Sequence, residues 1–345
     1  MLIARAPVRI SFAGGGTDLE AYYAEHGGMV VSTTIDKYFY VFLTPNHGGS
    51  LQLTSSDYRA FYRHANGEPL LWDGDLRLPK AILHEFGIDG GLSIFLASEV
   101  PPGTGLGSSS TVAVALAKAL STYVGRPMSR QQIAETACRI EIDKLGEPIG
   151  CQDQYAAAFG GINAIHFEAA GTEVERLEIS VPARRALEES LLLFFTGSSR
   201  HASQILCQQR GSICRREPVV LESLHFMRAA ASECRRRLLA ADIEGLGALL
   251  DRCWSEKKRL ARGISNPQID RWYEVARHYG ALGGKVTGAG GGGFLLLVCL
   301  PGCQAALTEA LEREGLYRMD FHLEDAGAKV LTNTSSWLRM EAAVA

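Results

Sequence analysis

The segment at residues 101–110, PPGTGLGSSS, combines three glycines with three consecutive serines. A strand-like apolar run at 92–97 precedes it, and a helical pattern at 111–123 follows it. Glycines let the backbone approach a ligand closely, and the first N–H groups of a helix lack helical partners and carry the positive end of its dipole. The arrangement therefore predicts a site for the phosphates of a nucleoside triphosphate. The alternative is a tight strand-to-helix turn that binds nothing.

This loop lacks the Gly-Lys-Ser/Thr ending of the common phosphate loop. A P-loop NTPase is therefore not expected, and the triphosphate needs another cation, for which magnesium is the candidate. The chemistry expected of such a site is phosphoryl transfer from ATP, as in a kinase. The expected ATP ligands are Pro102, Gly103, Gly105, Leu106, Gly107, Ser108, Ser109 and Ser110.

Glu141 is the candidate for a carboxylate ligand of the magnesium ion. In a helix predicted from about 130 to 145, it shares one face with Ile133 and Ala137. A carboxylate on an apolar face needs a partner, and magnesium usually takes one or two carboxylates together with phosphate oxygens. Ser109 and Glu141 are therefore predicted to hold the metal with the nucleotide. The alternative is a boundary glutamate that reaches water.

Asp153 stands at the start of a small-residue helix that follows Gly150. In a kinase, an aspartate there could accept or orient the proton of a substrate hydroxyl during phosphoryl transfer. The alternative is an N-terminal helix cap or a first-turn charge, which the helix dipole favours. The residues alone leave both interpretations open.

Two further glycine-rich segments are candidates for ligand contact. After Arg9, the run FAGGGTD at 12–18 allows close approach of a polar ligand, although a hairpin or a helix cap made by Asp18 is the alternative. The segment TGAGGGG at 287–293 precedes a strand, whereas the dinucleotide fingerprint follows one. We therefore expect this segment to bring backbone close to the phosphates bound by the first loop.

The composition fits a globular protein of two domains, with 345 residues, 46% of them hydrophobic and 21% charged. The net charge of −3 gives no reason to expect nucleic acid or an anionic membrane as a partner. No apolar run is long enough to cross a bilayer, and the N-terminus lacks a signal-peptide pattern, so a cytoplasmic protein is expected. The eight cysteines form no Cys-x-x-Cys pair and are expected to be buried free thiols.

The elements that must position these residues form an α+β pattern. Strand-like runs at 2–10, 28–35, 38–44 and 51–55 open the chain, and the glycine-rich loop with its helices follows. A boundary near Pro182 divides the chain into an N-terminal domain at 1–183 and a C-terminal domain at 184–345. The second domain is mostly helical, with buried strands predicted at 191–196 and 294–300.

Three motifs, in this order, resemble those of the GHMP kinase family, named for galactokinase, homoserine kinase, mevalonate kinase and phosphomevalonate kinase. They are residues 6–9 with 14–18, residues 101–110 and residues 285–293, so the resemblance spans nearly the whole chain. It implies a two-domain fold with an N-terminal half like the second domain of ribosomal protein S5 and a ferredoxin-like C-terminal half with added helices. It also implies ATP along the second motif and magnesium on Ser109 and Glu141.

The resemblance also assigns roles to single residues. Asp153 falls on the catalytic aspartate of the family, and Arg9 falls on the basic residue that keeps this aspartate ionised. Asp18 falls on a ligand of a sugar hydroxyl. The residues expected to contact the substrate are Gly15, Gly16, Thr17, Asp18, Gly288, Gly290 and Gly291.

Within the family, residues 141–155 and 263–270 resemble most the branch that phosphorylates the C1 hydroxyl of D-glycero-D-manno-heptose 7-phosphate. The resemblance thus implies ATP and a sugar phosphate as partners, and Arg200 and Lys257 are candidates for the acceptor's own phosphate. Each of these two could equally be a surface charge. Kinases for an octose 8-phosphate, fucose or galactose are alternatives, as is a catalytically silent sensor of the same fold. A homodimer is left open.

Overall fold

The computed structural model describes residues 1–64, 68, 70–197 and 202–334 of the chain. They form a nine-stranded sheet and a four-stranded sheet, with helices packed against both, so the α+β prediction is confirmed. Within these ranges, no helix has both the length and the apolar character that crossing a bilayer requires.

Strands and helices are mixed along the described chain. The strands are β1 (Leu2–Ala13), β2 (Gly28–Pro45), β3 (Leu51–Ser55), β4 (Ala60–His64), β5 (Leu92–Ser98), β6 (Ile162–Glu168), β7 (Gly171–Arg176), β8 (Leu191–Phe195), β9 (Ala281–Val286), β10 (Phe294–Cys299), β11 (Tyr317–Arg318), β12 (Leu323–Glu324) and β13 (Lys329–Asn333). The helices are α1 (Glu20–His26), α2 (Arg77–Glu85), α3 (Ser108–Tyr123), α4 (Arg130–Cys138), α5 (Gln152–Phe159), α6 (Val181–Ser190), α7 (Ala202–Cys214), α8 (Pro218–Leu239), α9 (Ile243–Lys257), α10 (Pro267–His278) and α11 (Pro301–Arg313), and a π-helix at Arg139–Lys144 follows α4.

The first sheet is built around β2, an 18-residue strand that pairs with β1, β5, β6 and β12. The sequence predicts two strands here because Asp36 and Lys37 interrupt the apolar pattern. The structure keeps one strand, because β12 pairs with Thr34 and Ile35 and the Asp36 N–H donates to the carbonyl oxygen of His322 at 2.9 Å. Partners distant in sequence thus override the local break.

The last two strands of the described chain return to the first sheet. Strand β12 pairs antiparallel with β2, and β13 pairs antiparallel with β1. The domain boundary at residue 183 stays a prediction. The strands beyond residue 322 nevertheless add to the sheet of the N-terminal half, although that boundary assigns them to the other half.

The second sheet has the order β11-β8-β10-β9, and all its pairs are antiparallel. Strands β8 and β10 are the buried apolar strands predicted from the sequence. The sequence does not predict β9, which contains two glycines. A Cβ on Gly283 would lie 2.0 Å from the carbonyl oxygen of Gly247, so glycine lets α9 pack directly on this strand.

All eight cysteines are unpaired, as the sequence predicts. Four of them are buried and Cys138 is partly exposed, whereas Cys207 and Cys214 on α7 and Cys303 on α11 are exposed. The prediction of buried thiols is therefore wrong for the exposed faces of these two helices.

Candidate active site

A cleft of about 500 Å³ lies between the two halves of the molecule. The first half lines it with β1, the glycine-rich loop at 101–110, the π-helix and α5. The second half lines it with α7, α9 and the loop at 287–292. The cleft therefore collects all three motifs that the sequence singled out.

The glycine-rich loop at 101–110, called the phosphate loop below, takes the conformation that its sequence predicts. Gly103, Gly105 and Gly107 have φ values of 74°, 82° and 77°, in the left-handed region that glycine enters without strain. Helix α3 begins directly afterwards at Ser108, which lines the cleft, so the positive end of the helix dipole lies at the cleft. Leu106, predicted as an ATP ligand, is instead buried in the core and anchors the loop.

The loop at 287–293 lies directly against the phosphate loop. A Cβ on Gly288 would lie 2.5 Å from the Cα of Gly105, and a Cβ on Gly293 would lie 2.2 Å from the carbonyl oxygen of Thr104. Only glycine fits this close backbone contact. The third motif therefore packs directly against the phosphate loop.

Arg9 and Asp153 form an ion pair in the cleft. The Nε and Nη2 atoms of Arg9 lie 2.8 Å and 2.6 Å from the same oxygen of Asp153, Oδ1. The Nη1 atom of Arg9 also donates to the carbonyl oxygen of Gly105 at 2.6 Å. The other oxygen, Oδ2, lies towards Gly107, where a Cβ would come within 3.0 Å of it. One carboxylate oxygen is thus held by arginine, and the other is turned to the phosphate loop.

Glu141 lies in the π-helix and not in a continuous α-helix. Helix α4 begins with the predicted capping box of Ser129 and Gln132, but the helix widens at Arg139 into a π-helix that ends at Lys144. Such turns are frequent at functional sites. The widening carries Glu141 to the cleft, beside the start of α3.

The carboxylate of Glu141 is buried, with 1% of the residue exposed. It accepts hydrogen bonds from Ser110 Oγ at 3.1 Å and from Gln154 Nε2 at 2.7 Å. Burial raises the pKa of Glu141 to about 8, although both hydrogen bonds oppose the shift. The serine that contacts Glu141 is therefore Ser110, whereas Ser109, predicted as a metal ligand, is exposed to the cleft.

Asp18 lies at the side of the cleft formed by the first motif. Its Oδ1 accepts from the N–H of Gly16 at 2.9 Å, and its Oδ2 accepts from Gln152 Nε2 at 2.9 Å. Burial raises the pKa of Asp18, and the negative charge of Asp153 adds to the shift. The two aspartates are therefore close enough to influence each other across the cleft.

Two buried lysines face the cleft from the second half. Lys257 donates to the carbonyl oxygens of Val286 at 2.8 Å and Gly288 at 2.5 Å, and Lys285 donates to that of Phe12 at 3.0 Å. Burial lowers the pKa of both lysines, to about 8 for Lys285, and the positive charge of Arg9 adds to both shifts. Cations that repel one another in one cleft favour phosphate binding, because the anion relieves the repulsion.

Most of the predicted site residues line the cleft. They are Arg9, Gly15, Gly16, Asp18, Pro102, Gly103, Gly105, Gly107, Ser108, Ser109, Ser110, Glu141, Asp153, Lys257, Gly288 and Gly290. Arg200 lies outside the described residues.

Two predicted substrate ligands do not line the cleft. Thr17 is fully buried, and its hydroxyl lies 2.8 Å from the carbonyl oxygen of Gly14 and 3.0 Å from that of Met29. It fixes the glycine turn. Gly291 donates its N–H to the carbonyl oxygen of Ile264 at 2.8 Å and holds the third motif in place.

Further residues that were not predicted as ligands also line the cleft, among them Ser11, Gln152, Gln209 and Lys285. Ser11 and Lys285 lie within or beside the first and third motifs, and Gln152 directly precedes Asp153, so their positions carried a signal. Gln209 lies in α7, outside every motif, and only packing between the two halves brings it to the cleft.

Two segments of the chain, one in each half, match the models of one known family. The model for the GHMP kinases N terminal domain matches residues 76–161, and the model for the GHMP kinases C terminal domain matches residues 230–316. The first segment contains the phosphate loop, Glu141 and Asp153, and the second contains Lys257 and the loop at 287–293. The chain belongs to the GHMP kinase family and is therefore a phosphotransferase with an alcohol group as acceptor.

Individual members of this family are similar to this chain over nearly its whole length. D-glycero-alpha-D-manno-heptose 7-phosphate kinase of Campylobacter jejuni is 33% identical over 331 residues, which cover 94% of this chain and 97% of that protein. The crystal structure of a D-glycero-D-manno-heptose 1-phosphate kinase from Bacteroides thetaiotaomicron is 26% identical, with a TM-score of 0.81 and coverage of 96% and 99%. Lactococcus lactis galactokinase, 18% identical with a TM-score of 0.74 and coverage of 95% and 94%, shares the fold. The predicted two-domain GHMP kinase fold is confirmed.

Proposed function

We propose that this chain is an ATP-dependent sugar-phosphate kinase that transfers the γ-phosphoryl group to the C1 hydroxyl of D-glycero-D-manno-heptose 7-phosphate. The observation that carries the proposal is the position of Asp153, with Oδ1 held by Arg9 and Oδ2 towards Gly107 of the phosphate loop. A carboxylate there lies beside both the expected phosphate site and Asp18, the expected sugar ligand. The 33% identity to the heptose 7-phosphate kinase of Campylobacter jejuni supports the choice of acceptor.

Asp153 accepts or orients the proton of the acceptor hydroxyl while the oxygen of that hydroxyl attacks the γ-phosphorus of ATP. The contacts of Arg9 with Oδ1 fix the carboxylate, so that Oδ2 keeps one direction. Arg9 also places a positive charge where the transferred phosphoryl group accumulates negative charge. Little other covalent chemistry is required of the protein, because phosphoryl transfer depends mostly on positioning and electrostatics.

The phosphate loop and the start of α3 bind the triphosphate. The loop glycines leave backbone N–H groups accessible, and the N-terminus of a 16-residue helix adds the positive end of its dipole. Lys257 and Lys285 add positive charge from the opposite half. The ammonium of Lys257 has two carbonyl partners and therefore keeps a third N–H for an anionic group, either of ATP or of the acceptor.

The residues beside the phosphate loop fit a magnesium ion. Glu141 offers a buried carboxylate whose two partners are neutral, and Ser109 and Ser110 offer hydroxyl oxygens at the start of α3. Magnesium prefers such oxygen ligands and completes its shell with phosphate oxygens and water. When bound, it would neutralise charge on the phosphates of the nucleotide.

The position of transfer is tested by the product. One heptose relative is named for a 7-phosphate and the other for a 1-phosphate, so the two names do not fix the acceptor hydroxyl. Transfer to C1 gives a heptose 1,7-bisphosphate in which one phosphorus is bonded through oxygen to the anomeric carbon. Coupling of this phosphorus to the anomeric proton in the NMR spectrum identifies it, and a product without such coupling contradicts transfer to C1.

The acceptor is tested by measuring ADP release with ATP, magnesium and a panel of sugars. The panel contains the heptose 7-phosphate, an octose 8-phosphate, fucose and galactose. We expect the highest kcat/KM with the heptose 7-phosphate. A higher kcat/KM with another sugar would make that sugar the acceptor and leave the proposed mechanism unchanged. ATP binding without turnover of any sugar would favour a ligand sensor of the same fold.

A further inference from the structure

Three buried polar atoms in the acceptor side of the cleft have no hydrogen-bond partner among the described residues. They are the Oγ of Ser11, the Oε1 of Gln152 and the Nε2 of Gln209. Ser11 and Gln209 are each 4% exposed, and all three residues line the cleft. A buried polar group without a partner costs on the order of 1–3 kcal/mol. Such groups at a ligand cleft point to partners that the ligand supplies.

The three side chains surround the dipeptide Gly15–Gly16. A Cβ on Gly15 would lie 3.9 Å from both Ser11 Oγ and Gln152 Nε2, and a Cβ on Gly16 would lie 2.4 Å from Gln209 Nε2. Ser11 and Gln152 belong to the first half of the molecule, whereas Gln209 comes from α7 in the second half. We call Ser11, Gln152 and Gln209 the neutral wall, because none of the three carries a charge.

Gln209 reaches the wall from one face of α7. Ser203, Leu206 and Gln209 lie three residues apart and line the cleft, while the adjacent Gln208 is exposed. A buried glutamine whose amide nitrogen is unpaired needs a reason, because a leucine or methionine would fill the same volume without an unpaired amide. A ligand that accepts a hydrogen bond from Nε2 supplies this reason.

The chemistry of the wall selects hydroxyl groups. The free atom of Gln209 is a donor, that of Gln152 is an acceptor, and the Ser11 hydroxyl is both. Neighbouring hydroxyls of a sugar both donate and accept, so they can satisfy all three atoms. A phosphate dianion has no proton to donate to Gln152 Oε1 and would leave this acceptor unsatisfied.

We propose that the neutral wall binds hydroxyl groups of the acceptor sugar, that Gln209 is a specificity-determining residue, and that the acceptor's own phosphate lies outside the wall. The inference rests on the proposed function and adds to it which part of the acceptor faces which residues. Because Gln209 comes from the second half, the wall is complete only when the two halves stand as in this structure.

The test compares Gln209→Met with Gln208→Met. Both variants replace a glutamine of α7 by a residue of similar volume, but only the first changes the wall. With heptose 7-phosphate as acceptor, we expect Gln209→Met to raise the acceptor KM about fivefold to tenfold, as expected for one lost hydrogen bond, with an unchanged KM for ATP. Gln208→Met should leave both values unchanged. An acceptor KM within twofold of the wild type in Gln209→Met would overturn the proposal.

A second comparison separates hydroxyl binding from phosphate binding. The inhibition constant of D-glycero-D-manno-heptose without its 7-phosphate is measured for the wild type and for Gln209→Met. If the wall binds hydroxyls, the substitution weakens this inhibitor by the same factor as it weakens the phosphorylated acceptor. If it weakens only the phosphorylated sugar, Gln209 lies near the phosphate and the assignment is wrong. Ser11→Ala should repeat the pattern with a smaller factor.

Failure of the proposed function gives a different result. If the wild type phosphorylates another sugar and not the heptose, the acceptor proposal fails, and the same comparison is made with the sugar that is phosphorylated. If no sugar is phosphorylated, the melting temperature of wild type and Gln209→Met is measured with each sugar of the panel. A sugar that stabilises the wild type and not the variant supports the wall, and equal stabilisation of both contradicts it.

Discussion

The two ends of the cleft differ in how their polar groups are satisfied. At the phosphate end, Arg9 and Asp153 are paired at 2.6–2.8 Å, and the Glu141 carboxylate accepts two hydrogen bonds. At the acceptor end, Ser11 Oγ and Gln209 Nε2 are buried and have no hydrogen-bond partner in the part of the chain that the structure describes. The Arg9–Asp153 pair and the Glu141 carboxylate are therefore satisfied by the protein itself, whereas we propose that the ligand satisfies the groups of the acceptor end.

This difference predicts that the two ends affect different kinetic parameters. Changes to Asp153 or Glu141 should act mainly on kcat, because they alter groups that stabilise the transition state. Changes at the acceptor end should act mainly on the KM of the sugar, because they alter contacts present in both the bound and the reacting complex. The following substitutions test whether the two ends can be changed independently.

The largest effect is expected for Asp153→Ala. The substitution removes the group that accepts or orients the acceptor proton, a contribution of about 10²–10⁴ in rate. We expect kcat to fall by about that factor, while the KM for ATP and the circular dichroism spectrum stay near wild type. Single-turnover kinetics with the heptose 7-phosphate measure the effect. Near-normal turnover in a folded variant would show that Asp153 is not the catalytic group.

Glu141→Gln should have the next largest effect. It keeps the size of the side chain and removes the carboxylate, so we expect about tenfold to hundredfold lower kcat, partly restored by higher magnesium concentration. Titration of activity with magnesium measures this. A variant with the same magnesium dependence as the wild type would argue against Glu141 as a metal ligand.

The same substitution should change the pH dependence of stability. Burial raises the pKa of Glu141 from its ordinary 4.5 to about 8, so the native state holds a proton that the unfolded chain releases above about pH 4.5. The stabilisation is fully present below pH 4.5 and is lost as the pH rises through about 8. In metal-free buffer, urea unfolding of the wild type should show a loss on the order of a few kcal/mol between pH 5 and 8.5, relative to Glu141→Gln. If the free energies of unfolding of the wild type and Glu141→Gln changed equally with pH, the raised pKa of Glu141 would be contradicted.

Lys257→Met and its neighbour Lys258→Met form a matched pair with smaller effects. Lys257 is buried and donates to two carbonyl oxygens beside the phosphate loop, whereas Lys258 is exposed, 3.3 Å from Asp270. Loss of the buried ammonium should raise the KM for ATP or for the acceptor about tenfold and lower the free energy of unfolding by about 1–3 kcal/mol. The exposed lysine should contribute less than about 1 kcal/mol. Equal effects of the two substitutions would show that Lys257 does not bind the nucleotide or the acceptor.

The smallest effect is expected for Gly15→Ala. The nearest side-chain atoms to a Cβ there are 3.9 Å away and the glycine is not in the left-handed region, so the fold tolerates alanine. The methyl group would occupy space between Ser11 and Gln152. We expect a rise of about threefold to fivefold in the acceptor KM, since small steric changes in a pocket amount to about 1 kcal/mol. An unchanged KM with heptose 7-phosphate would mean that the sugar does not approach Gly15.

Local signals allowed part of this structure to be predicted. The capping box at Ser129 and the phosphate loop depend on neighbouring residues, and both form as expected. The widening of the helix at Arg139 and the pairing of β13 with β1 depend on contacts distant in sequence, and no local pattern indicated them. The motifs located the phosphate end of the cleft, but Gln209 could not be found because its environment exists only after the halves pack together.

The return of the last strands to the first sheet constrains how this kinase can move. The chain enters the second half through α6 and comes back between β11 and β12, and Arg184 of α6 ties the two crossings by donating to Leu323 O and Asp325 Oδ1, each at 2.7 Å. Two connections that are hydrogen-bonded to each other restrain the two halves more than one would, because a shift of one strains the bonds to the other. None of these residues lines the cleft. A substitution of Arg184 would therefore change how firmly the two halves are joined, at a distance from every residue that lines the cleft.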